Sequence, residues 1–490
     1  MKLRQHETSS LNTKRRGDFL TKRIAIIGAG PGGYVAAIKA AQMEAEVVLI
    51  ENREIGGACL NRGCIPTKTY FRNAEIMSSL KHSEEFGIKV EGYSLDGKAL
   101  LERKNRVVND LVTGIEKLIS SYPNIELING KASFKDDKTL LVQLNEGGTR
   151  EVTADNIIIA TGSSAQMTET KGVDLKGVIT SDDILELDHI PETLIVVGGG
   201  VIGVEFASIY KELGSNVILL ASRMLKDADK EISKRMTPIL KKQGIETYVN
   251  IRAKEIFEFE GKLKVVAKYK EKDEEIEVVG DYVLIASGRA PVIDGLNLDA
   301  VGIECAPKGI QVDDHYETSV PGIYAIGDVN SKGIQLAHVA SAQAEYVVET
   351  IMGHIPDIVL EHWPACCFTM TEVAQVGYTE EQLKEKGVDY RTSKFMFSAN
   401  GKALSLGETD GIVKIIASNE DNKILGVHIL GPHANDLIHE GALAISNNLD
   451  VAAIKRTIHA HPTLSEAFFE ATLGLDDEAI HIAPKRKRRK

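Results

Sequence analysis

A chain of 490 residues exceeds what one compact core holds, and about three domains are expected. Its 43% hydrophobic and 26% charged residues suit a globular protein in water, and a formal charge of −12 argues against a surface built to grip nucleic acid. No apolar run approaches the ~20 residues of a membrane span, and cysteines at 59, 64, 305, 366 and 367 are too few and too uneven for a secreted disulfide framework, so a reducing cytoplasm is the expected setting.

Residues 1–22 are polar, without the apolar core of a secretory signal, and are expected to be a disordered extension. Residues 23–27 then form a short apolar run ending in Gly28-Ala-Gly30-Pro-Gly-Gly33, followed by an alanine-rich helical pattern and a second apolar run that stops at Glu51. The same plan returns at 194–197, with Gly198-Gly-Gly200-Val-Ile-Gly203, a helix, and a run that ends at Ala221. Gly28 and Gly198 are 170 residues apart, as are Gly33 and Gly203, and Glu51 and Ala221. One such glycine pattern is weak evidence, but two inside strand–turn–helix–strand units imply two dinucleotide sites, where free N–H groups at a helix start receive a pyrophosphate. Glu51 stands where a carboxylate accepts from a ribose diol.

Further apolar strands end in glycine turns at Ala160-Thr-Gly162, Ala286-Ser-Gly288 and Ile326-Gly-Asp328. The second unit therefore reads as an insertion in the first, and after about 355 the pattern changes to alternating strands mixed with helices. The fold class expected is α/β: two Rossmann-like dinucleotide-binding domains, the second inserted in the first, plus a C-terminal α+β domain. The expected divisions are 23–155 with 288–355, then 156–287, then 356–482, with a basic tail at 483–490 read as a solvated terminus.

Between the first unit and the next helix lie Cys59 and Cys64, flanked by Gly56-Gly57 and Pro66. Zinc sites space cysteines more closely and need four ligands, and no second pair of matching spacing exists, so no metal is expected. On an ideal helix Cα atoms five apart are about 8–9 Å distant, whereas a disulfide needs under about 7 Å. A bridge here must distort the helix start, with Gly57 and Gly63 able to supply unusual dihedrals. A strained bridge is the more easily reduced, and a helix N-terminus favours the thiolate, so catalysis outweighs a structural staple. A proton acceptor is then needed, and His461, with Glu466 to orient it, is the candidate, although spacing alone does not bring it near Cys59.

From about 23 to 480 the chain resembles the dihydrolipoyl dehydrogenase family of the class I pyridine nucleotide–disulfide oxidoreductases. The residues that carry the likeness are Gly56-Gly-Ala-Cys-Leu-Asn-Arg-Gly-Cys-Ile-Pro-Thr-Lys68, His459-Ala-His-Pro-Thr-Leu-Ser-Glu466, Gly288-Arg-Ala-Pro291 and Gly327-Asp-Val329. The resemblance implies FAD on the first unit and NAD on the second. It makes Cys59 the thiol that meets substrate and Cys64 the charge-transfer thiol against the flavin. It gives His461, held by Glu466, as the acid–base group, supplied across a homodimer built by the last domain. It places Lys68, paired with Glu205, at the flavin N5 side, and puts Gly130, Lys131, Gly162, Asp328, Gln335, Leu336, Ala337 and His338 along the FAD. The implied reaction oxidises the dihydrolipoamide of a 2-oxo acid dehydrogenase complex or the glycine cleavage system, with the dithiol expected on a separate protein or as a free molecule because no lipoyl domain precedes residue 23.

One departure stands out. NAD-using relatives carry an acid where this chain has Ala221, and Ser222 and Arg223 follow, suited to a 2′-phosphate; Gly203 is instead the NAD-like choice. NAD is the expectation, with NADP the open alternative. The rival activity is an NADPH-dependent reductase of the glutathione type. Cys366-Cys367 lies too far from the C-terminus for a mercuric reductase pair and is expected to be buried structure, while Cys305 carries no motif and is expected to have a structural role.

Overall fold

The computed structural model describes residues 21–483; the expected disordered extension, up to residue 20, and the basic tail from 484 lie outside the described residues. Among the described residues seven strands form the first sheet, in the order Ile323–Ala325, Asn156–Ile159, Arg23–Ile27, Glu46–Glu51, Ile125–Phe134, Thr139–Leu144, Thr149–Thr153. The first five run parallel and the last two fold back as an antiparallel meander. Ile24, Ala25 and Ile26 are fully buried, as expected of a strand covered on both faces. The second sheet is also parallel, ordered Glu246–Val249, Asn216–Ala221, Thr193–Val197, Tyr282–Ile285, Val178–Ile179.

The internal repeat holds element by element. Strands Arg23–Ile27 and Thr193–Val197, helices Pro31–Gln42 and Val201–Glu212, and strands Glu46–Glu51 and Asn216–Ala221 all match at an offset of 170.

The division expected at 155/156 is corrected. Asn156–Ile159 lies in the first sheet, between Arg23–Ile27 and Ile323–Ala325, so the chain leaves that domain only afterwards. The crossing is made by Ser163–Ala165, which pairs antiparallel with the returning Arg289–Pro291. The four-residue run at 156–159 is a strand of the parallel sheet, with Ile157, Ile158 and Ile159 at most 1% exposed.

The third unit is a five-stranded antiparallel sheet, ordered Ala365–Cys367, Glu372–Gly377, Ile424–Gly431, Ile412–Ser418, Tyr390–Met396, with helices Ala434–Ser446 and Ser465–Leu473. Strand Ile412–Ser418 is buried at every position, so the simple in–out alternation expected for this unit fails there. One face packs on the unit's own helices through Val413, Ile415, Ile438 and Phe468. The other reaches the second nucleotide unit, where Ile412 and Leu430 share a core with Phe206, Ile232 and Met236.

Within that contact lies Lys414, 3% exposed, with Nζ at 2.9 and 3.0 Å from the two carboxylate oxygens of Asp229 and 2.6 Å from Glu380. Burial alone would raise the Asp229 carboxyl, but His428 and Lys414 hold it below the usual carboxylate range. Its contribution to stability is therefore present at neutral pH and is lost as pH falls through the folded value. Lys414→Met should cost about 3–5 kcal/mol, since removing one partner leaves uncompensated buried carboxylates. Urea unfolding measures it, and adding Asp229→Leu to that variant should recover part of the loss.

Candidate active site

Both glycine turns sit at the carboxyl ends of their sheets, where open α/β folds bind ligands. A Cβ on Gly33 would lie 1.7 Å from Gly28 O, and one on Gly203 would lie 2.0 Å from Gly198 O, so each helix is drawn against its turn in a way only glycine permits. Above the turns there is room: Gly30 has only the Gly57 Cα near such a Cβ, at 3.9 Å, and Gly200 has nothing within 4 Å. Gly33→Ala should lower flavin retention about tenfold or more, because the turn must open by more than an ångström; the ratio of visible to 280 nm absorbance in the purified protein reads this.

Glu51 ends its strand with both oxygens placed by backbone N–H groups, Ala29 at 2.7 Å and Arg53 at 2.8 Å. Beside it Gly130 and Lys131 continue the next strand, whose Asn129 pairs with Glu51. Asp328 follows strand Ile323–Ala325 and accepts from Ser163 Oγ at 2.6 Å, while Arg289 Nε donates to the same hydroxyl at 2.8 Å. Burial pushes the Asp328 carboxyl up, against Ser163 and Arg289. Gln335 and Leu336 lead into helix Ala337–Ile351, whose first residues are Ala337 and His338. His338 Nε2 is taken by Pro364 O at 2.8 Å. Gly162 and Gly288 lie at the two chain crossings, with Val292 N–H donating to Gly162 O and Gln166 N–H to Gly288 O. The Glu51 carboxylate, the open glycine turn and the half-buried Asp328 carboxylate line one sheet end, a set of donors and acceptors that fits FAD.

Cys59 and Cys64 are joined in a disulfide with Cα atoms 4.7 Å apart. The expected distortion is a break in the helix: one short helix, Gly57–Arg62, ends at Gly63, whose φ/ψ of −142°/−106° restarts the chain as Cys64–Lys81. Gly57 takes φ +57° at the near end. Cys64 thus opens an eighteen-residue helix, where free N–H groups favour a thiolate. One turn on, Lys68 Nζ is 3.0 Å from both oxygens of Glu205, on the helix of the second unit, and 4.3 Å from the Phe368 ring centroid. Glu205 also accepts from Phe368 N–H at 2.9 Å. All three domains therefore meet at Lys68.

His461 Nδ1 lies 2.9 Å from Glu466 Oε1, and Glu466 Oε2 accepts from Thr463 N–H at 2.8 Å. Burial would raise the Glu466 carboxyl, but Thr463 and His461 hold it below its ordinary value. The carboxylate keeps the ring proton on Nδ1 and leaves Nε2 as the acceptor. The imidazole is 79% exposed and, among the described residues, makes no hydrogen bond to either cysteine of its own chain. Ser163 and Arg289, which set Asp328, were missed by sequence reasoning as site residues; the only signal was Arg289 in the Gly288-Arg-Ala-Pro291 motif. Among the described residues no cluster of acids, histidines and cysteines suits a metal, and no helix is long and apolar enough to cross a membrane.

Residues 22–344 match the pyridine nucleotide-disulphide oxidoreductase family, and residues 363–472 its dimerisation domain. The chain belongs to this family of FAD- and NAD(H)-using oxidoreductases. Its relatives include the mitochondrial dihydrolipoyl dehydrogenase of Pisum sativum, 39% identical over 94% of this chain and 92% of the relative. The dihydrolipoyl dehydrogenase of Geobacillus stearothermophilus is 40% identical over 96% and 99%. Among solved structures, LpdA of Mycobacterium tuberculosis is similar with a TM-score of 0.84 at 27% identity, covering 93% of this chain and 100% of that one. The HOCl-induced flavoprotein disulfide reductase RclA of Escherichia coli gives 0.81 at 29%, covering 92% and 99%.

Proposed function

We propose that this chain acts as a dihydrolipoyl dehydrogenase, oxidising the dihydrolipoamide of a lipoyl-bearing protein of a 2-oxo acid dehydrogenase complex or the glycine cleavage system and reducing NAD+. The observation that carries this reading is the Cys59–Cys64 disulfide, one helical turn from the Lys68–Glu205 pair that reaches the second nucleotide unit. Glu51 would hold the FAD ribose and Asp328 its ribitol, the turn from Gly28 to Gly33 would hold the pyrophosphate, and Lys68 would face the flavin ring. FAD, when bound, supplies the two-electron relay from thiols to nicotinamide.

The thiol chemistry belongs to this chain. The partner subunit's His461 accepts a proton at Nε2 from one substrate thiol, and that sulfur attacks Cys59 Sγ. The Cys59–Cys64 bond breaks and Cys64 leaves with the electron pair as a thiolate. The second substrate thiol attacks the mixed disulfide, closing the lipoamide ring and releasing Cys59, which takes up a proton. Substrate is oxidised and the protein disulfide reduced, so the cycle is ping-pong. The exposed His461 supports a homodimeric site, as do the apolar Ile458 and Leu443, 96% and 63% exposed in the single protomer. We place the enzyme in the cytoplasm, a setting supported by the free thiols of Cys366 and Cys367. The assay is dihydrolipoamide-dependent NADH formation, with oxidised glutathione and NADPH as the opposing pair; faster reduction of glutathione would overturn the reading.

A further inference from the structure

The internal repeat makes the molecule its own control for what the second nucleotide site selects. At the offset of 170, Ala29 corresponds to Gly199, Glu51 to Ala221 and Arg53 to Arg223. In the first unit the backbone N–H groups of Ala29 and Arg53 both donate to the Glu51 carboxylate, at 2.7 and 2.8 Å. In the second unit that carboxylate is a methyl group. Among the described residues the N–H groups of Gly199 and Arg223 have no hydrogen-bond acceptor, and no acid forms an ion pair with the exposed Arg223 side chain. Ser222 lies between, partly exposed, its hydroxyl likewise without a protein partner among the described residues. Where the first unit presents a negative charge, the second presents unclaimed donors and a guanidinium.

The loop is also held in place. Leu225 N–H donates to Gly199 O at 2.7 Å, Gln375 Nε2 donates to Asp227 O at 2.9 Å, and Asp229 closes the loop on buried Lys414. Asp229, the buried acid that ends the loop, is thus paired with a lysine from another domain. Gly203 does not oppose this, because its tight turn shapes the pyrophosphate end alike in both units and leaves discrimination to the strand end.

We propose that the second site takes a 2′-phosphorylated adenosine, so that NADP(H) serves as well as NAD(H) or better. Ser222 Oγ, the Arg223 guanidinium and the N–H groups of Gly199 and Arg223 are its phosphate ligands. The inference rests on the proposed dithiol oxidation only for its turnover form, dihydrolipoamide + NADP+ → lipoamide + NADPH + H+. Its binding form is independent of that reading.

Calorimetric titration of the flavin-loaded dimer with 2′,5′-ADP and with 5′-AMP tests it directly. A charge-assisted phosphate contact predicts that 2′,5′-ADP binds about tenfold or more tighter, and that Arg223→Ala removes most of that preference. Ala221→Glu should reverse the preference and lower the NADP/NAD ratio of kcat/KM by a similar factor or more. Equal affinity for the two probes in the wild type would overturn the proposal, as would an undiminished preference in both Arg223→Ala and Ser222→Ala. Bleaching of the flavin by dihydrolipoamide, which needs no nucleotide, reports separately on the proposed function. A flavin that stays oxidised there while the 2′,5′-ADP preference holds would refute the dithiol reading and leave the nucleotide inference standing.

Discussion

Cys64→Ser is expected to reduce dihydrolipoamide-dependent turnover by at least ~10³-fold, and Cys59→Ser by as much, because the two sulfurs act as one unit and losing either removes the disulfide. The fold should survive. A bridge across so short a loop contributes about 2 kcal/mol at most by loop entropy, and both sulfurs are only half-buried at a helix break that Gly63 provides. Neither of the adjacent free thiols at 366 and 367 can stand in. Burial pushes the Cys367 thiol well above its ordinary value, and burial, followed by Glu372, pushes the Cys366 thiol up to about 11. At pH 7 a thiol of that kind is thiolate in roughly one molecule in ten thousand. Stopped-flow mixing of each variant with dihydrolipoamide, under nitrogen and without nucleotide, separates loss of thiol chemistry from loss of FAD. The flavin should be present at wild-type content and stay oxidised. Turnover above a tenth of wild type in Cys64→Ser would remove the bridge from the mechanism.

The parts of this site readable from the chain are those whose spacing is local. The two glycine turns and Glu51 each sit within one strand–turn–helix–strand unit marked by the 170-residue repeat, and Cys59 and Cys64 stand five residues apart just beyond the first. The Lys68–Glu205 pair spans 137 residues and came only through the family resemblance; the structure brings it to 3.0 Å. The interlock of Asp229 with Lys414 had no such guide. A lysine inside a mostly apolar strand reads as an outward-facing charge until the neighbouring domain covers that face. The misplaced division at 156 has a related cause. Continuous apolar runs such as 156–159 and 193–197 look alike in sequence, and only ladder partners separate a strand that closes one parallel sheet from one that opens another. Ser163 escaped notice for the same reason: it meets Asp328 across 165 residues.

His461→Gln should lower turnover about 10²–10⁴-fold, the usual worth of a positioned proton acceptor, and the stronger expectation concerns mixed dimers. Within its own chain His461 faces solvent, held to Glu466 at 2.9 Å, so its work is expected at the other subunit's cysteines. Two inactive homodimers, Cys59→Ser and His461→Gln, should then rescue each other when co-expressed. In a mixed dimer one site combines both lesions and the other has neither. Random pairing makes half the dimers mixed, so about a quarter of wild-type activity should return in a two-fold symmetric assembly. Differential affinity tags isolate the mixed species, whose activity per dimer should reach about half of wild type. If His461 served Cys59 of its own chain, every site would retain one lesion and mixing would restore nothing. A quarter cannot arise from a stability effect of either substitution, since neither parent contributes an intact pair, and the yield of activity therefore measures which subunit supplies the base.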